Sequence, residues 1–132
     1  MKRLATLVLL LPLVTACQGD DASTGKYSTG GDPSDSPCSR VVSAIGYAGL
    51  MLEPAGGEDR QNFENALVGR FSELRGITLE FGDRLPAALR TAVATVKETT
   101  EELAKPSTPR ERQVTLLKRY RPAADQIVAG CE

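Results

Sequence analysis

The sequence predicts an all-α protein, a small antiparallel four-helix bundle running up-down-up-down. Three observations carry that reading. Four stretches between Cys38 and Cys131 repeat apolar residues at steps of three and four, the spacing of one helix face. Breaks rich in Gly and Pro separate them, at Glu53-Pro54-Ala55-Gly56-Gly57, at Pro86 and at Lys105-Pro106-Ser107. No run alternates apolar and polar residues with the period of a strand, and short connections favour antiparallel neighbours.

The first helix is predicted over Cys38–Leu52, with Ser36 as cap and Pro37 at the first helical position, where a missing N–H costs nothing. Cys38, Val41, Ile45, Ala48 and Leu52 share its inner face. The stretch is apolar nearly all round, so it should be the most buried helix, and Gly46 and Gly49 should let a neighbouring backbone come close.

The second helix is predicted over Glu58–Gly82. Its acidic start, Glu58-Asp59, suits the positive end of a helix dipole. Phe63, Leu67, Phe71, Leu74, Thr78, Phe81 and Leu85 form its stripe, Gly76 marks a weak point, and Arg60–Glu64 and Glu80–Arg84 are i,i+4 pairs. The third runs from Pro86 to Ala104, with Leu89, Ala92, Val93, Val96 and Leu103 inward.

Thr108-Pro109-Arg110-Glu111 then reads as a capping box opening the fourth helix: a capping Thr, Pro at the first position, and a Glu that reaches back. Val114, Leu117, Tyr120, Ala124, Ile127, Val128 and Cys131 face inward, and Gly130 offers the stop. Pro122 removes one backbone hydrogen bond and should kink this helix or split it.

Ahead of the helices lies a different kind of sequence. Lys2 and Arg3 are followed by an apolar run, Leu4–Val14, broken only by Thr6 and Pro12, and small residues then lead into a cysteine. The run is too short for the roughly 20 residues that span a bilayer. Val14-Thr15-Ala16-Cys17 resembles the lipobox of bacterial lipoprotein precursors. The resemblance implies removal of residues 1–16, a diacylglyceryl thioether on Cys17, and acylation of the new N-terminus, which together anchor the chain stably. Residues 17–37 then form a linker rich in Gly, Ser, Asp and Thr that cannot bury enough surface to order itself. Residues 38–132 are the domain, placed at the extracytoplasmic face of the bacterial cell membrane.

With Cys17 taken by lipid, two of the three cysteines remain, Cys38 and Cys131. An exported chain meets an oxidising compartment, where such a pair reads as a disulfide; the other reading is two free buried thiols. Closing so long a loop stabilises the fold by roughly 4 kcal/mol on the chain-entropy model. The pairing also agrees with the topology. In an up-down-up-down bundle the start of the first helix and the end of the fourth lie at the same end, and both cysteines fall there.

Composition narrows the function. Of 16 basic and 17 acidic residues, three basic and four acidic precede residue 38, so the domain is neutral and suggests no nucleic acid. There is no His, hence neither the commonest general base nor the commonest metal ligand. GxSxG, CxxC and Gly-rich phosphate loops are missing too, so no catalysis, cofactor or metal is expected. Glu80/Asp83 and Glu98/Glu101/Glu102 read as solvated helix faces.

Arg110, Arg112, Lys118, Arg119 and Arg121 are the one charge feature with a functional reading, contact with an anion or an acidic partner, against the simpler reading of an outward face. The function expected is a lipid-anchored, non-catalytic module of the cell envelope that works by contact with another envelope protein, touching the membrane through Cys17. The alternative is a small-molecule or lipid carrier, its cavity lined by the small residues of the first helix and by Phe63, Phe71 and Phe81.

Overall fold

The computed structural model describes residues 34–132. The leader, the lipobox with Cys17 and most of the linker lie outside the described residues. The domain is a bundle of four helices: α1 (Pro37–Gly49), α2 (Asn65–Phe81), α3 (Arg90–Leu103) and α4 (Arg110–Gly130). There is no strand among the described residues. Helix α1 packs on α2, α2 on α3 and α3 on α4, whereas the seam between α1 and α4 is the least extensive.

The apolar stripes meet in one core. Val41, Leu67, Phe71, Leu74, Val96 and Ile127 are fully buried at its centre. Phe71 meets the ring of Tyr120 edge-on, with centroids 5.4 Å apart at 88°, a geometry that aromatic quadrupoles favour. The third-helix stripe is buried as expected, Leu89, Ala92, Val93, Val96 and Leu103 all lying inside. Cys38 and Cys131 are joined by a disulfide, their Cα atoms 5.5 Å apart and their positions 93 apart in the chain.

Ser36 caps α1, its hydroxyl accepting from the Ser39 N–H at 3.1 Å. The helix stops at Gly49 rather than Leu52, its end tightening into turns in which Met51 N–H donates to Ala48 O and Leu52 N–H to Gly49 O. No other group lies within 4 Å of where a Gly49 side chain would begin, so this glycine serves no close packing.

Helix α2 departs furthest from expectation. It begins at Asn65, and Glu58–Arg60 form a separate 3-10 turn with Gln61 extended behind it. The reason lies in Gln61, which is buried and spends its amide on other backbone. Its Oε1 accepts from Glu53 N–H at 2.7 Å, and its Nε2 donates to Met51 O at 3.1 Å. Those bonds fold residues 51–62 back against the end of α1, so the helical path cannot start at Glu58. Arg60 and Glu64 therefore share no helix. Gly56 takes a left-handed φ of 87° in this bend, which favours glycine. Arg84, past the end of α2, lies over the Phe81 ring at 4.7 Å.

Helix α4 also starts later than its sequence signal. Pro109, not Thr108, is the cap residue, and no side chain caps the helix. The Thr108 hydroxyl instead donates to Glu102 O at 2.7 Å. It thus closes the end of α3, whose last carbonyls lack helical partners. At Pro122 the helix is not split: α4 runs unbroken from Arg110 to Gly130 with Pro122 inside and exposed. Gly130 has a packing reason, for a Cβ there would sit 2.5 Å from Leu89 Cδ2. The last turn of α4 is thereby pressed onto the residue that precedes α3.

Candidate functional site

The five basic residues of α4 do not form one patch. At about 100° per residue, Arg110, Lys118 and Arg121 fall on one side of the helix and Arg112 and Arg119 on the other. The two sets meet different parts of the domain.

Arg112 holds Glu102 with two parallel bonds of 3.0 Å, and Arg119 reaches Glu98 at 3.1 Å. Both carboxylates belong to α3, so these pairs lace the α3–α4 seam. The Arg112 guanidinium, donating directly to Glu102, holds that carboxyl below its ordinary range, and Glu102 in turn raises Arg112. The acidic run of α3 is therefore a bonded face as well as a solvated one. Asp83 is likewise lowered by the Lys97 ammonium, which donates to it at 2.7 Å.

Arg110, Lys118 and Arg121 converge on the bend between α1 and α2. Arg110 donates to Gln61 O and Asp59 O, each at 2.7 Å. Lys118 reaches Asp59 at 3.0 Å. Arg121 lies deepest. Its Nε sits 2.5 Å from Glu58 Oε1, and its Nη2 donates to Glu53 O. The Glu58 side chain is only 6% exposed, and burial of that kind is costly for a charge unless it is paired. Its own backbone N–H is the largest influence holding Glu58 below the ordinary carboxylate range, joined by the Gly56 N–H at 3.2 Å and the charge of Arg121.

Chemically this is a polar anchor. It satisfies backbone groups of the bend that no helix would satisfy, and it holds α4 against the end of α1. Glu58, Asp59 and Gln61 are its unforeseen members. The signal for them was two acids directly after Pro54-Ala55-Gly56-Gly57, which suit a turn that meets cations as well as they suit a helix start.

A cleft of about 410 Å³ lies beside this anchor, lined by Asp59, Arg110, Glu111, Val114, Thr115 and Lys118, and further clefts lie elsewhere. A cleft of about 330 Å³ sits over the disulfide, lined by Ser36, Cys38, Ser39 and Val42 of the α1 side and Val128, Cys131 and Glu132 of the α4 side. A second, of about 290 Å³, follows the α1–α2 seam past Tyr47, Ile77 and Phe81. Among the described residues no group of three or more acidic, Cys or His side chains could hold a metal ion, and no helix is long and apolar enough to cross a membrane. The chain matches no family model, no curated protein and no solved structure.

Proposed function

We propose that this chain is a bacterial lipoprotein, tethered through Cys17 at the extracytoplasmic face of the cell membrane, whose helical domain works by contact with another envelope protein and not by catalysis. The observation that carries the reading is the Cys38–Cys131 disulfide. It accounts for two of three cysteines, fits an oxidising compartment, and leaves Cys17 as the residue that follows the export signal.

The domain is read as an up-down-up-down bundle with α4 bent at Pro122. Three contacts at one end support that order. Cys38 of α1 meets Cys131, Arg40 of α1 lies over Phe81 at the end of α2, and Gly130 presses on Leu89 just before α3. The basic residues of α4 are read as internal ties, because an external anion would compete with partners within the domain at every one of the five. The carrier reading has less support: Phe71 is fully buried against Tyr120, so its ring is core and not cavity wall.

The test is incorporation of an alkyne-tagged palmitate into the full-length chain in a bacterial host, followed by the mass of the mature N-terminus. Labelled protein beginning at an acylated Cys17, with label lost in Cys17→Ser, supports the reading. Unlabelled protein that retains residues 1–16 or is cut elsewhere overturns the anchor. Crosslinking in intact cells then addresses the partner. A discrete crosslinked species that depends on the domain supports contact with an envelope protein, and its consistent absence counts against it.

A further inference from the structure

Helix α1 is held unequally. It packs broadly on α2, but its seam with α4 is the least extensive in the bundle. That seam is tied at its two ends, by the disulfide at one and by the bonds of Arg121 to Glu53 O and Glu58 at the other. Between them, Val42 and Ile45 are buried but Val128, across the seam, is only partly covered.

The disulfide end is also open to solvent. Cys38 and Cys131 are each partly exposed, and both line the 330 Å³ cleft. The two partners joined there are not equally secured. Helix α4 keeps its place without the bond, because Gly130 seats its last turn on Leu89. The first turns of α1 keep Arg40, over Phe81 at 5.5 Å and beside Asp35 at 3.8 Å, and the burial of Val41, Val42, Ser43 and Ala44; toward α4 they present Val42, which shares the disulfide cleft with the partly covered Val128.

We infer that the Cys38–Cys131 disulfide is a redox latch on the α1–α4 seam, whose reduction frees the first turns of α1 while α2, α3 and α4 stay packed. The reductant is a dithiol whose two thiols are spaced to close an unstrained cyclic disulfide, as the 1,4-dithiol dithiothreitol does. One of its thiolates attacks a disulfide sulfur and displaces the other cysteine as thiolate. Its second thiol then resolves the mixed disulfide, leaving two cysteine thiols and an oxidised, cyclic dithiol. The opened seam exposes Val42, Ile45 and Val128 on a surface that the oxidised protein keeps shut.

Amide hydrogen exchange on the full chain, carrying Cys17→Ala so that no third thiol can rearrange, tests this before and after dithiothreitol. Exchange at Val41–Ile45 should quicken on reduction at least about tenfold more than exchange in α2, α3 and residues 110–127, whose common rise reports the lost loop closure. The double variant Cys38→Ser/Cys131→Ser should show the reduced pattern without reductant. A rise of equal size in all four helices overturns the latch and makes the bond a staple of the whole fold and nothing more. Unchanged exchange in α1 overturns it as well, since packing would then hold the seam alone.

Discussion

The two ends of the α1–α4 seam solve the same problem in opposite ways. At one end a covalent bond joins Cys38 to Cys131. At the other, Arg121 bridges Glu58 and the carbonyl of Glu53, with Arg110 and Lys118 beside it. The covalent end leaves a cleft beside two partly exposed cysteines, and the ionic end buries a carboxylate inside a bend of backbone. A bond that constrains the unfolded chain needs little burial around it. A charge pair gains over solvation only when further hydrogen bonds satisfy both partners.

Removing the covalent end should have the largest effect. Cys38→Ser/Cys131→Ser should lower the free energy of unfolding by about 4 kcal/mol in urea titration. A loss under about 1 kcal/mol would mean that the reduced, unfolded chain is already compact, so that the bond restrains little.

Breaking the ionic end should come next. Arg121→Met keeps an unbranched apolar stem but leaves the Glu58 carboxylate and Glu53 O without the guanidinium that bridges them. Its urea midpoint should fall, by less than that of the double serine variant, and adding Glu58→Gln should recover part of the loss. Acid separates the two ends further. Glu58, Asp83 and Glu102 are all held below their ordinary range. Their stabilisation is therefore complete above the unfolded-state value, 4.5 for the two glutamates, and is lost as pH falls through the lower folded values. Unfolding free energy measured downward from pH 5 should drop, more shallowly in Arg121→Met, while the disulfide contribution stays constant. Parallel acid profiles for the two proteins would show that Arg121 contributes nothing to lowering Glu58 and that the backbone N–H groups hold it down without that charge.

Smaller effects probe the covalent end without touching sulfur. Ser36→Ala removes the cap on the Ser39 N–H and should cost about 1 kcal/mol. Gly130→Ala forces a methyl against Leu89 and should cost about 1–3 kcal/mol by overpacking. The latch requires Gly130→Ala to loosen the end of α4 in the oxidised protein and Ser36→Ala to loosen only α1, a contrast that hydrogen exchange reads directly.

The same contrast explains what could be read from the sequence. The four helices, the inward stripes and the Ser36-Pro37 cap depend on neighbours three or four residues apart, so local spacing carries them. The disulfide needed only residue counting. The Arg121 anchor depends on a path instead. Glu58-Asp59 suit a helix start, and Gln61 alone decides otherwise, through bonds to residues 51 and 53 that local periodicity cannot express. Thr108 misled for a related reason. Its capping pattern is real, but the Glu102 carbonyl at the end of α3 took its hydroxyl first. The two sides of the basic group follow from helical spacing alone, but what each side meets does not, because α3 and the bend place those partners opposite them.

Tyr120 and Arg121 are neighbours in the chain, and they complete the comparison at the scale of one side chain. Arg121 reaches out of the core to the bend, whereas the Tyr120 hydroxyl is buried with no hydrogen-bond partner among the described residues. Burial pushes its pKa up, so the phenol stays neutral. A buried donor left unmade costs about 1–3 kcal/mol of desolvation, and removing the group releases that cost. Tyr120→Phe should therefore leave stability unchanged or raise it by up to about 1 kcal/mol, with the edge-on contact to Phe71 kept. A loss above about 1 kcal/mol in urea titration would show that the hydroxyl is bonded in solution, through an internal water or a shifted side chain. Tyr120 would then belong with Arg121 among the polar ties of α4 and not with the apolar core beneath it.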